Sequence, residues 1–189
     1  MTAVALRKGV QVEDPLGVVL DVLDRWRLDL DFASDPSSFG EPDLRRANRD
    51  GARISAAQIA AILERRPKIE RALRAIPSDA SLAAANVPWS QLGRLFDGFA
   101  GVHGVGLSKT TKALYRKRPA LIPILDSLVH AYLEEDDPGP KAPFGERALA
   151  LVRGYKRDLD RNRAALRAVE RELARRGHNL TEVRILDLL

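Results

Sequence analysis

Two short stretches of this 189-residue chain carry the side chains best placed to do chemistry. The first is Val102-His103-Gly104-Val105-Gly106-Leu107-Ser108-Lys109-Thr110-Thr111-Lys112-Ala113-Leu114; the second is Ile122-Pro123-Ile124-Leu125-Asp126-Ser127. In the first, an apolar residue, a Gly-Val-Gly turn and a basic, Thr-bearing helix start follow one another. Gly104 and Gly106 permit a tight turn with positive φ and the close approach of another backbone. The N–H groups that open the next helix have no partner within it, so an anion such as a phosphate can sit on them. Lys109 and Lys112 bring positive charge to the same end, and His103, Ser108 and Thr110 are further candidates to touch that anion. The second stretch sets a single carboxylate, Asp126, twenty residues after Gly106. Asp is a favoured helix N-cap, and the apolar Ile122, Ile124 and Leu125 lower the local dielectric and strengthen the field of a charge placed there.

This hairpin and downstream Asp resemble the helix-hairpin-helix DNA glycosylase superfamily over roughly residues 88–135. The two stretches also resemble those of uncharacterised bacterial proteins of similar size, a resemblance that implies no function. The superfamily resemblance implies an all-α fold of two helical lobes with a cleft between them. Residues 42–136 would form the hairpin lobe, and residues 14–41 and 141–189 a lobe made from the chain ends. It further implies a protein acting on double-stranded DNA. Asp126 would be the catalytic carboxylate that stabilises positive charge at C1′ as a base departs, and would orient or deprotonate the attacking water. His103, Gly104, Gly106, Ser108, Lys109, Thr110 and Lys112 would hold the phosphate backbone. The chain departs from the family at two places. Ser108 stands where strand-cutting members carry Lys, and Lys109 lies one residue on, turned by about 100° around a helix. His103 stands where the usual Pro precedes Gly-Val-Gly. Together with the missing cysteines of the iron–sulfur branch, this implies a monofunctional glycosylase rather than a glycosylase/lyase.

Composition sets the outer bounds. There is no cysteine, which excludes disulfides, thiolate catalysis and cysteine-ligated metal clusters. His103, His130 and His178 share no metal-ligand spacing, so no metal and no cofactor is expected. No apolar run is long enough for a membrane span and no secretion signal is read, so the expected location is cytoplasmic. The net charge of +5 and a pI near 9.8 suit a polyanionic partner.

The elements that must position these residues read as helices. Residues 1–13 alternate and predict a short strand or loose arm. Pro15, after a capping Asp14, opens a helix to about Arg27 with Leu16, Val19, Leu20 and Leu23 on one face. Residues 30–42 read as a loop, and Asp43–Arg49 as a short helix closed by Asp50-Gly51. Ser55 and Gln58 form a capping box, with Ile54 and Ile59 as its staple, and Pro67 breaks the helix that follows. Pro88 opens the helix entering the hairpin, with Leu92, Leu95, Phe96 and Phe99 inward. The second hairpin helix spans Leu107–Arg116. Asp126 opens another through Tyr132, which places His130 one turn after Asp126 on the same face. Glu134–Asp137 reads as a solvated helix end. A long patterned helix follows from 141, with a break near Asp158–Asn162, ending at Gly177; Thr181 caps the last one. Trp26, Trp89, Phe96, Tyr115 and Tyr132 are the aromatics available to stack on a base, with Trp89 and Tyr115 expected to be partly exposed. Two alternatives stand beside the enzyme: a non-catalytic helix-hairpin-helix nucleic-acid-binding module, and a helical interaction protein whose hairpin is only a corner.

Overall fold

The computed structural model describes residues 3–26 and 35–189; the side chain of Trp26, one of the stacking candidates, lies outside the described part. Apart from one pair of two-residue strands, the regular structure of the described residues is helical. β1 (Val4–Ala5) pairs antiparallel with β2 (Gln11–Val12), Val4 facing Val12, around a 3₁₀ turn at Arg7–Gly9. The alternation at the N-terminus thus becomes a tied-down hairpin rather than a loose arm. Asn162 clamps it, accepting from Ala5 N–H at 2.8 Å and donating to Ala5 O at 2.9 Å.

The helices begin and end where short-range chemistry dictates. In α1 (Pro15–Trp26) Asp14 Oδ1 accepts the Gly17 N–H at 3.0 Å. α2 (Glu41–Arg49) starts two residues earlier than the sequence suggests, because Asp43 reaches back to the Gly40 N–H. Ser55 and Gln58 close the capping box of α3 (Ala56–Leu63). α4 (Arg66–Arg74) carries Pro67 in its first turn, where a missing N–H costs nothing. α5 (Trp89–Phe96) leads to the hairpin and α6 (Leu107–Leu114) leaves it; the latter stops short of Arg116 and tightens into a 3₁₀ turn over Tyr115–Lys117. α7 is Ser127–Tyr132. The long C-terminal pattern divides at Asn162 into α8 (Phe144–Arg161) and α9 (Arg163–Arg175). Thr181 caps α10 (Glu182–Asp187), accepting from Arg184 N–H.

α5 lies along α8, α4 along α5, and α2 against α6 and α3; α10 packs on α9 and α8, and α1 on α9. The buried apolar side chains of all these helices form one continuous core. No helix among the described residues is long and apolar enough to cross a membrane.

Two charged stretches are drawn inward. Lys117 and Arg118 are both 3% exposed. Lys117 pairs with Asp43 at 2.8 Å. Arg118 donates to the carbonyls of Pro36, Leu73, Ile76, Pro77 and Lys117, capping the end of α4, while burial pulls its pKa down. The run Glu134–Asp137 is a solvated end only at Glu134 and Glu135. Asp136 turns in to Arg7 and Arg157, and Asp137 to Arg147.

Candidate functional site

The hairpin between α5 and α6 is built on Val102-His103-Gly104-Val105, where Val105 N–H donates to Val102 O at 3.0 Å and Gly104 takes φ +70°. Val102 and Val105 point into the core and His103 lies outside at the tip. Gln58 ties this turn to α3. Its Nε2 donates to His103 O at 3.1 Å, and its Oε1 accepts from Lys109 Nζ at 2.8 Å. A Cβ on Gly104 would stand 2.5 Å from Gln58 Nε2, so conformation and contact both demand glycine there.

Gly106 is different, and the expectation of positive φ at both glycines is corrected. It is the N-cap of α6, with φ −95° and ψ −172°, a conformation open to any residue, and a Cβ there would meet nothing within 4 Å. Having no side chain, it leaves the N–H groups of Leu107, Ser108 and Lys109 without an acceptor among the described residues. The positive end of α6 thus opens onto a cleft of about 560 Å³.

That cleft brings together residues from four parts of the chain: Gly51 and Arg53 from the α2–α3 turn, Ser108 and Lys112 from α6, Asp126 and His130 at α7, and Arg147 from α8. Asp126 is the N-cap of α7, and its Oδ1 accepts the N–H groups of Leu128 and Val129, each at 3.1 Å. Its Oδ2 has no hydrogen-bond partner among the described residues. Lys112 and Arg53 form no ion pair with them either, and Arg53 sits in the left-handed region at φ +54°. A long side chain rarely occupies that region, and holding it there costs about 1–2 kcal/mol. Opposite them, Arg147 grips Asp137 with Nε at 2.7 Å and Nη2 at 2.6 Å, and Asp137 Oδ2 lies 2.6 Å from His130 Nε2. The bond from Arg147 holds the Asp137 carboxyl far below its usual range.

Two buried contacts fix the Asp126 segment. Thr111 Oγ1, fully buried on α6, accepts the Leu125 N–H at 3.0 Å, so the hairpin helix and the carboxylate segment are joined directly. Behind them Asp187 accepts the Ile124 N–H at 3.3 Å, the Tyr155 hydroxyl at 3.0 Å and Arg184 at 2.6 Å. Burial pushes Asp187 up to about 6 against the pull of Arg184.

Residues 22–189 match the model of a family described as a family of unknown function, DUF6308. The chain belongs to this family. No curated protein and no solved structure matches it. The DUF6308 match takes in the hairpin, Asp126 and every cleft residue, and leaves β1 and β2 outside.

Among the expected site residues, Gly106, Ser108, Lys112 and Asp126 meet in the cleft, while His103 and Gly104 lie beside it on the turn and Lys109 is tethered to Gln58. Thr110 is corrected: it is 0% exposed and faces the core, so it cannot touch a phosphate on the surface. Of the two aromatics expected to be partly exposed, Trp89 is so and Tyr115 is not. Tyr115 is buried and donates to Asp50, and its phenol pKa is pushed up by burial. Phe96 is in the core. Tyr132 receives the Arg7 N–H, and Trp89 lies under Arg153 in a separate cleft at the start of α5. No aromatic side chain lines the cleft of Asp126 among the described residues. The sequence reading missed Arg53, Arg147, Asp137, Gln58 as a brace, and Asp187. For Gln58 the capping box was a partial signal; for Arg53 the Asp50-Gly51 turn marked the place but not the side chain.

Proposed function

We propose that this protein binds the backbone of double-stranded DNA through its hairpin and presents one nucleotide to Asp126 for hydrolysis of the N-glycosidic bond, as a monofunctional DNA glycosylase does. One observation carries this reading: the open N-terminus of α6, Asp126, and the cations Lys112 and Arg53, which meet no carboxylate among the described residues, all line a single cleft. A phosphate on the N–H groups of Leu107, Ser108 and Lys109 would be held by the helix dipole and by Lys112. The adjoining sugar would then lie towards Asp126. As the bond from C1′ to the base lengthens, positive charge grows on the sugar, and a fixed carboxylate stabilises it without having to reorganise. Oδ1 is pinned by two backbone N–H groups, and Oδ2 is the oxygen available to the sugar or to the attacking water.

The test is binding to a duplex containing a stable abasic-site analogue beside an undamaged duplex, at low and physiological salt, followed by a screen of damaged bases with Asp126→Asn as control. Preference for the abasic analogue and Asp126-dependent base release are expected. A second reading has a specific observation in its favour. Among the described residues no Phe, Tyr or Trp side chain lines the cleft to stack on an extruded base, which suits a module that holds backbone without chemistry. In that case affinity would be equal for both duplexes, steeply salt-dependent, and unchanged in Asp126→Asn. Absence of binding at low salt would leave neither reading standing.

A further inference from the structure

We propose that His130 is the acid that protonates the departing base, and that the cleft therefore takes nucleotides whose base is uncharged. This rests on the reading of the cleft as a site of N-glycosidic hydrolysis. His130 follows Asp126, the N-cap of α7, by four residues, and both line the cleft. Its ring is held from behind: Nε2 lies 2.6 Å from Asp137 Oδ2, and Asp137 is itself clamped by Arg147 and by the Gly139 N–H at 2.9 Å. Arg147 Nη2 also lies 3.3 Å from Nε2, and the Asp137 carboxylate takes the Nε2 hydrogen, which fixes the tautomer and leaves Nδ1 as the nitrogen that hands over a proton in the step. Nδ1 has no hydrogen-bond partner among the described residues, and the side chain is 37% exposed.

The remaining charges around the cleft select the leaving group. Arg53 comes from the α2–α3 turn, Lys112 from α6 and Arg147 from α8. Against them stand Asp126 on the same helix as His130 and Asp137 behind its ring. A base already cationic through alkylation leaves without a proton, has no use for an acid, and is repelled by Arg53 and Lys112. An uncharged base leaves poorly as an anion and gains most from protonation. In the step, the C1′–N bond breaks and its electron pair goes to the base. The base takes the proton from Nδ1 of the imidazolium. Water adds its oxygen to C1′ and gives a proton to Asp126, from which it returns to the imidazole through solvent.

The experiment measures single-turnover base release from duplexes carrying uracil, hypoxanthine, 8-oxoguanine or cationic 7-methylguanine, with the wild type, Asp126→Asn, His130→Gln and Asp137→Asn. His130→Gln is expected to slow release of the uncharged bases by at least about 100-fold and release of 7-methylguanine far less, in a protein that still melts cooperatively. Asp137→Asn, which loosens the ring and also weakens the hold on Arg147, is expected to give a smaller loss. Equal slowing of uncharged and cationic bases in a 7-methylguanine-competent enzyme would make His130 structural and overturn the proposal. So would Asp126-dependent release of 7-methylguanine alone, although the hydrolase reading would survive it. Release of no base from any duplex would remove both.

Discussion

The two glycines of the hairpin allow folding and binding to be separated by adding one methyl group at either. At Gly104, φ is +70° and the new Cβ would lie 2.5 Å from Gln58 Nε2. Alanine in that region costs about 1–2 kcal/mol, and displacing Gln58 loses a hydrogen bond to His103 O worth about 0.5–1.5 kcal/mol. Gly104→Ala should therefore lose about 2–3 kcal/mol and melt roughly 5–10 °C lower in a chain of this size. At Gly106, φ is −95° and the methyl would meet no protein atom within 4 Å. Alanine is a poorer N-cap than glycine by roughly 0.5–1 kcal/mol, and the stiffer unfolded chain returns about 0.4–1 kcal/mol. Gly106→Ala should melt within about 2 °C of the wild type. Its methyl, however, fills the space over the free N–H groups of α6, where a phosphate is proposed to sit. Duplex affinity, followed by fluorescence anisotropy at low salt beside a thermal melt, should fall at least about tenfold, or 1.4 kcal/mol. A Gly106→Ala protein that is stable and binds duplex as well as the wild type would refute the hairpin as a phosphate seat. One destabilised as much as Gly104→Ala would refute the conformational argument.

Three further outcomes are expected. Arg53→Gly relieves the left-handed backbone at φ +54° and should raise stability by up to about 1 kcal/mol, while flattening the salt dependence of duplex binding by about one unit of log K per log salt; a loss of stability would contradict the strain, and an unchanged slope would remove Arg53 from the interface. Thr111→Val leaves the Leu125 N–H buried without its acceptor and should cost about 1–3 kcal/mol, with faster hydrogen exchange at the Leu125 amide as the diagnostic. For Asp187, the folded value of about 6 lies above the ordinary 3.8, so its contribution to stability is complete below about pH 4 and is lost as the pH rises through 6. Denaturant melts at pH 4 and 7 should thus show Asp187→Asn to be costlier at pH 4, by at most on the order of 3 kcal/mol; a difference of the opposite sign would overturn the assignment.

Much of the fold was legible because its signals are local. Ser55 with Gln58, Asp14, Asp126 and Thr181 were readable as caps, since a cap bonds N–H groups two or three residues away. The break near Asn162 was visible in the pattern. What Asn162 does there, holding Ala5 across most of the chain, was not. Thr110 and Thr111 show the limit most clearly. Adjacent and chemically alike, both looked like part of a polar helix start; both are buried, one with no partner for its hydroxyl among the described residues and the other bonded to Leu125. Helix phase alone did not separate them, because the face that α6 hides depends on α2 packing against it.

By itself the sequence determined that the chain is helical, where most helices begin, that Gly104 stands in a tight turn, and that Asp126 caps a helix twenty residues after Gly106. Tertiary structure alone decided that Gly106, Lys112 and Asp126 share a cleft with Arg53, His130 and Arg147, that Gln58 braces the hairpin, and that the described aromatic side chains lie elsewhere. The physical reason is the range of the interactions. Caps and turns are closed by hydrogen bonds between near neighbours, which residue types announce. The cleft is closed by α5 lying on α8 and α6 on α2, where apolar burial has no direction of its own and fixes which polar groups meet only after the helices have packed.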